Sequence, residues 1–124
     1  MNKVESFMDL TCWKRARDFK KNLYKLAKEL PGYEQYKLAS QIRSAAVSVT
    51  ANIAEGFGRF NYSEKIQFAR ISRASLLELE DHLLTCLDAQ YINENQFNLL
   101  HNSCIDVSKS ISGYIGFIKN QKNN

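Results

Sequence analysis

Positive charge is concentrated in one short segment near the amino terminus. Between residues 14 and 28, Asp18 is the single acidic residue. The cations of this segment are Lys14, Arg15, Arg17, Lys20, Lys21, Lys25 and Lys28. Five of them, at positions 14, 17, 21, 25 and 28, recur at spacings of three or four, which places them on one helical face. Such a stripe can neutralise the phosphates of a nucleic acid and release their counterions. A solvated face that only keeps the protein in solution has the same pattern, so both interpretations stay open.

Residue types that catalyse reactions are sparse and scattered. The cysteines, Cys12, Cys86 and Cys104, fall on apolar stripes and form no CxxC pair, which predicts buried thiols rather than zinc ligands or disulfides. Glu78 and His82 share a helical face with Cys86, but no fourth ligand accompanies them. Phosphate-binding loops and nucleophile elbows are absent from the sequence. We therefore predict no catalytic residue, no metal, no cofactor and no enzymatic activity.

Composition is that of one ordinary globular domain over residues 1–124. The chain has 124 residues, a formal net charge of +4 and an isoelectric point near 9.0. Proline occurs once and glycine five times, which disfavours a turn-rich β architecture. The sequence shows no signal peptide and no apolar run long enough to span a membrane. Together with the odd number of cysteines, this predicts a cytoplasmic protein.

Four segments have the apolar spacing of amphipathic helices. We predict helices over about 11–29, 35–57, 62–90 and 94–119, followed by a frayed polar tail at 120–124. Thr11, Asn61 and Asn93 are the predicted N-caps. The three connections are short, which favours antiparallel neighbours. The sequence therefore predicts an all-α, antiparallel up-down-up-down four-helix bundle.

Two of the predicted helices have unusual surfaces. The second carries apolar residues outside its main stripe, namely Ala39, Ala46, Val47, Ala51 and Ala54. A helix that is apolar on several sides is buried on several sides, so this pattern suggests self-association. The third helix has a stripe widened by Leu77, Leu84 and Leu87, and its later half is acidic through Glu78, Glu80, Asp81 and Asp88. Charge is thus expected to differ between two sides of the molecule.

The segment from Gln41 to Arg59, QIRSAAVSVTANIAEGFGR, resembles the signature of a bacterial family named for intervening sequences in 23S ribosomal RNA genes. The Trp13-Lys14-Arg15-Ala16 opening and the run from Ser75 to Glu80 also fit that pattern. The resemblance implies a four-helix bundle that assembles into a homopentamer without established enzymatic activity. A similar class of protein, the accessory variability determinant of diversity-generating retroelements, is a basic pentamer that binds nucleic acid and a reverse transcriptase. By this analogy the expected partners are RNA or DNA and a protein such as a reverse transcriptase.

The polar residues of this segment are interpreted as a structural and assembly motif. Glu55 and Arg59 are four residues apart and are predicted to pair. Asn52 is predicted to bond a neighbouring helix and set its register. Gly56, together with Gly58, is predicted to permit a tight exit from the helix. Arg43 completes the motif. The segment departs from the family pattern at Ser44, where a second arginine is frequent, at Thr50, where proline is frequent, and at Ala74, where glycine is common.

These observations lead to two functional hypotheses. The first is a homopentameric protein that binds nucleic acid through the basic face of helix one. The second is a scaffold that recruits a protein partner and whose basic face only keeps it in solution.

Overall fold

The computed structural model describes residues 3–123, and every regular element within them is helical. The long helices are α1 (Thr11–Glu29), α2 (Leu38–Phe57), α3 (Tyr62–Asp88) and α4 (Glu94–Asn123). Two single-turn 3-10 helices, Phe7–Asp9 and Gly32–Glu34, precede α1 and α2. The predicted all-α class with four helices is confirmed.

The four long helices form a square, antiparallel array. Each helix contacts its neighbours in the chain, α1 also contacts α4, and within residues 3–123 the diagonal pairs make no contact. Interhelical contacts show the alternating direction, since Ser48 on α2 meets Ser75 on α3, whereas Val49 meets Ser72. This arrangement is the predicted up-down-up-down bundle.

The predicted apolar stripes converge on one continuous core. Leu23, Ile42, Leu79 and Ile111, one from each helix, are fully buried. Burial of such a side chain contributes about 1.5–3 kcal/mol each relative to exposure. The bundle is therefore stabilised mainly by the same residues whose spacing predicted the helices.

The helix ends agree with the sequence in some places and differ in others. Asn61 caps α3 as predicted, because its Oδ1 accepts the backbone N–H of Ser63 at 2.7 Å. Asn93 and Gln96 cap α4 reciprocally, each side chain accepting the other residue's backbone N–H. The prediction for Thr11 is wrong: Leu10 occupies the N-cap of α1 and offers no side-chain bond.

Three helix boundaries also differ from those predicted. Helix α2 begins at Leu38 instead of about 35, because residues 32–34 form a separate 3-10 turn. Helix α3 ends at Asp88, two residues early, and Gln90 then adopts a positive φ of 63°. Helix α4 continues to Asn123, so residues 120–123 of the predicted frayed tail are helical, and residue 124 lies outside the described residues.

The apolar surfaces of α2 and α3 lie differently from the prediction. Ala39 and Ala46 are buried within the chain itself, so only Val47 and Ala51 among the extra apolar residues of α2 are exposed. Leu77 and Leu84 do not widen the core stripe of α3; they are 67% and 44% exposed. Leu77 and Leu84 therefore form an exposed apolar surface on α3 that the bundle itself leaves uncovered.

Candidate nucleic-acid interface

Helix α1 presents an uninterrupted line of exposed cations. Lys14, Arg17, Lys21, Lys25 and Lys28 are all exposed. Among residues 3–123, the ion pairs shorter than 4 Å involve Arg59, His82 and His101, and none includes a cation of the stripe. Asp9 lies close enough to Lys14 for the lysine charge to contribute to the lowered pKa of the Asp9 carboxyl. The stripe cations thus form no ion pair with a carboxylate of the described chain.

Lys20 is set apart from the other cations by its contact with α2. It is half-buried, and its Nζ donates a hydrogen bond of 3.1 Å to Oγ1 of Thr50. The Thr50 hydroxyl in turn donates to the carbonyl of Val47 at 3.2 Å. Lys20 therefore joins α1 to α2, and its place among the nucleic-acid-binding residues stays a prediction.

Arg15 is exposed but points towards α4 rather than along the stripe. It lines a surface groove of about 440 Å³ whose walls include Asp18 from α1 and Asp106 from α4. The groove thus contains carboxylates as well as the guanidinium of Arg15. Asp106 joins this groove because α4 packs against α1.

Arg17 is the cation of the stripe that contacts an aromatic ring. Its guanidinium carbon lies 5.6 Å from the centroid of the Trp13 ring, within the range of a cation–π contact. Trp13 is itself held edge-on against Phe7 at 5.2 Å between centroids. A guanidinium that is already oriented loses less entropy when it pairs with a phosphate.

Acidic side chains lie on α3, which is diagonal to α1 in the bundle. Glu78 and His82 are hydrogen-bonded at 2.9 Å between Oε2 and Nε2. Glu80 is bonded in the same way to His101 of α4 at 2.7 Å. Asp81 remains exposed. The bundle therefore has a basic helix α1 and, on the opposite corner, acidic side chains along the later half of α3.

The cysteines lie in the core, as their stripe positions predicted. Cys12, Cys86 and Cys104 are all buried free thiols. Burial raises the pKa of Cys104 to about 12, with a smaller contribution from the charge of Glu80. Burial likewise raises the pKa of Cys12 and of Cys86 to about 11. Within residues 3–123, no group of three or more His, Cys, Asp or Glu side chains is arranged to hold a metal ion.

We expect the three thiols to resist alkylation at pH 8 while the bundle is folded. A rise of the pKa from 9.0 to about 11 lowers the thiolate fraction roughly 100-fold, and burial also blocks the reagent. Mass spectrometry after iodoacetamide treatment should show no adduct on the native protein and three adducts after denaturation in urea. Rapid labelling of the native protein would contradict the buried placement.

Arg43 of the assembly motif organises the connection between α1 and α2. Its Nη2 donates to Oε1 of Gln35 at 2.8 Å. Gln35 Nε2 donates in turn to the carbonyls of Ala27 and Leu30, at 2.8 and 2.9 Å. Carbonyls at the end of a helix have no partner within it, so this network satisfies the end of α1. Gln35 lies at the predicted start of the second helix, and its local sequence contains no signal for this role.

The predictions for Asn52 and for Glu55 have different outcomes. Asn52 Nδ2 donates only within α2, to the carbonyl and the Oγ of Ser48, and Ser48 Oγ meets Ser75 Oγ of α3 at 2.8 Å. The predicted direct bond from Asn52 to a neighbouring helix is therefore wrong, because Ser48 lies between them. The predicted pair of Glu55 and Arg59 is confirmed at 2.7 Å.

Gly56 serves helix packing rather than a turn. A Cβ at this position would lie 2.7 Å from Cβ of Phe68 and 3.2 Å from the carbonyl oxygen of Lys65. No glycine among the described residues has a positive φ. The predicted tight exit through Gly56 is therefore wrong, and the residue instead lets α2 approach the backbone of α3.

We expect Gly56→Ala to destabilise the fold by about 1–3 kcal/mol, because the added methyl overpacks the contact between α2 and α3. Thermal unfolding followed by circular dichroism measures this change. Gly58→Ala is the matched control: a Cβ there would meet only the carbonyl of Glu55 at 3.6 Å, and φ is −77°. The control should be neutral or more stable by up to about 1 kcal/mol. Equal melting temperatures for Gly56→Ala and wild type would refute the packing argument.

None of the helices within residues 3–123 is both long enough and apolar enough to cross a membrane.

Comparison with known proteins identifies both a matching family and a similar fold. The family model described as 23S rRNA-intervening sequence protein matches residues 8–113. A solved structure from Bacteroides thetaiotaomicron, described as a protein with unknown function from the S23 ribosomal protein family, is similar with a TM-score of 0.78. It is 21% identical, and the match covers 85% of this chain and 95% of that one. A search of curated proteins found no match. Neither description names a catalytic activity.

Proposed function

The chain belongs to the 23S rRNA-intervening sequence protein family, and on this basis we propose that it is a non-enzymatic, homo-oligomeric bundle that binds nucleic acid. The exposed and unpaired cations of α1 carry this proposal. The assembly is a pentamer, as the family resemblance implies, and it acts in the cytoplasm.

The dimensions of the basic stripe suit a nucleic-acid backbone. Lys14 and Lys28 are fourteen positions apart, which corresponds to about 21 Å along a helix. Over that length the stripe can follow several successive phosphates of one strand. Arg17, held by Trp13, provides an ordered contact near one end. Contacts of this kind recognise phosphate groups and carry no direct sequence information.

The exposed leucines of α3 support the self-association. Leu77 and Leu84 are seven residues apart, so they lie on the same face of α3, and both are large apolar side chains left uncovered by the bundle. Burial of this face against another copy would remove apolar surface from water. Five copies would repeat the α1 stripe, and multivalent contact would strengthen binding to a long polyanion.

A salt-titrated binding assay tests the function. Structured RNA, single-stranded RNA and duplex DNA are titrated between low and moderate salt. Binding should weaken linearly on logarithmic axes, with a slope of about −0.7 to −0.9 for each neutralised phosphate. A scaffold that binds only a protein would give no shifted band at moderate salt and would retain a specific partner in a pull-down, such as a reverse transcriptase by analogy.

A further inference from the structure

A second cluster of cations lies away from the α1 stripe, where α3 begins and α4 ends. Arg70 of α3 and Lys119 and Lys122 of α4 line a cavity of about 230 Å³, together with Ser63, Ile66 and Asn123. All three cations are exposed, and no ion pair among residues 3–123 involves them. No acidic side chain of the described residues lines the cavity. Its positive potential is therefore not neutralised.

The last turns of α4 place Lys119 and Lys122 beside the start of α3. Lys122 Nζ donates to Oγ of Ser63 at 2.6 Å, which fixes the lysine beside the first turn of α3. The backbone N–H groups of Ser63 and Glu64 are already bonded to Asn61. Recognition of an anion here would thus come from the three side chains, supported by the positive end of the α3 dipole.

Exposed aromatic side chains directly precede this cavity in the chain. Phe60 is completely exposed and Tyr62 is 40% exposed, and Ser63 of the cavity follows them. Phe60 is not covered by any part of the described chain. Aromatic rings beside cations are the combination by which proteins hold single-stranded nucleic acids, since bases stack on the rings while phosphates pair with the cations.

We propose that this cavity binds a terminal phosphate monoester of a single-stranded nucleic acid, with the adjoining base on Phe60. A phosphate monoester carries a charge of about −1.5 to −2 and three acceptor oxygens, whereas an internal phosphodiester carries a single charge. The three cations that line the cavity therefore match the charge of a monoester better than the single charge of a phosphodiester. The inference rests on the proposed function and extends it from a backbone contact on α1 to recognition of a strand end.

The test uses one oligonucleotide sequence with a 5′-phosphate, a 3′-phosphate or hydroxyl groups at both ends. Wild-type protein should bind one of the phosphorylated strands roughly tenfold more tightly than the hydroxyl-ended strand. Lys119→Ala/Lys122→Ala should lose this preference and keep its affinity for the hydroxyl-ended strand. The matched control Lys37→Ala/Lys109→Ala removes two exposed cations elsewhere and should keep the preference. Equal binding of all three strands by wild type, or a preference that survives in Lys119→Ala/Lys122→Ala, would overturn the proposal.

Titration with a nucleoside 5′-monophosphate, followed by NMR, separates this proposal from the function on which it rests. If the wild-type protein binds none of the three strands, the proposed function is overturned. The titration then decides separately whether the cavity binds a phosphate monoester. Perturbed amide signals at residues 63–66 and 119–123 in wild type, absent in Lys119→Ala/Lys122→Ala, support the cavity. Unperturbed signals in wild type overturn it. Phe60→Ala should weaken strand binding roughly fivefold and leave binding of inorganic phosphate unchanged.

Discussion

Reversal of four α1 charges, Lys14→Glu, Arg17→Glu, Lys21→Glu and Lys25→Glu in one variant, is expected to abolish nucleic-acid binding at moderate salt. Each reversal lowers the charge by two, so the formal net charge falls from +4 to −4 per chain. Every lost phosphate contact removes about one unit from the salt slope of the binding constant. The new carboxylates also repel the backbone. Fluorescence anisotropy across a salt series measures both effects.

A pair of matched double variants controls for net charge. Lys21→Glu/Lys25→Glu changes two stripe residues, whereas Lys37→Glu/Lys109→Glu changes two exposed cations outside α1. The stripe variant should lose far more affinity than the control, although both carry the same net charge. Exposed substitutions of this kind alter the free energy of unfolding by only about 0.5 kcal/mol each, so folding is retained. Unchanged binding by the fourfold variant would show that α1 is only a solvated face.

Introduction of lysine at Leu77 and Leu84 together is expected to convert the oligomer into monomers. In a separate chain both positions are largely exposed, and Glu80, Asp81 and Asp88 lie four residues from one or other of them. Each new lysine therefore gains a favourable pairing on the monomer's surface. In a subunit interface the same charges would have to be removed from water, and this desolvation costs several kcal/mol per ion even beside a carboxylate. Native mass spectrometry and light scattering at micromolar concentration measure the outcome.

Leu99→Lys is the matched control for the interface. Leu99 of α4 is 71% exposed and lies on the side of the bundle where α4 meets α1. It should leave the assembly intact if the α3 leucines form the contact, whereas dissociation by Leu99→Lys alone would place the contact on the other side. A wild-type protein that is monomeric at micromolar concentration would refute self-association. Monomeric Leu77→Lys/Leu84→Lys should also bind long RNA more weakly despite its two added positive charges, because avidity is lost.

Much of the fold followed from local spacing. The stripe of Cys12, Ala16, Phe19 and Leu23 predicted both the existence and the buried face of α1, since side chains three and four residues apart share one side of a helix. The same reasoning placed the stripe cations on the outer face. A pair four residues apart could also be predicted from local spacing, as the contact between Glu55 in α2 and Arg59 just after its end shows.

Contacts between helices could not be predicted from the spacing of residues within one helix. The family resemblance indicated the importance of Gly56, but only the packed pair α2 and α3 shows that Phe68 occupies the space of a side chain there. Leu77 and Leu84 continue the apolar pattern of α3, yet the rotation of that helix about its axis leaves them outside the core. A wide apolar stripe does not determine this rotation, because several orientations bury similar numbers of carbon atoms.

The cations of the bundle show which features depend on the local sequence and which depend on helix packing. The amino-acid sequence alone determined that the bundle has four helices, that its core follows their stripes and that one helix is basic, because each of these depends on neighbours within about four residues. The tertiary structure decided what surrounds the cations: Lys20 is hydrogen-bonded to Thr50, Arg15 lines a groove together with Asp106, and Arg70 lines a cavity together with Lys119 and Lys122. These relations connect residues that are 30 to more than 90 positions apart or lie on different helices, so they depend on helix register and rotation that no local pattern specifies.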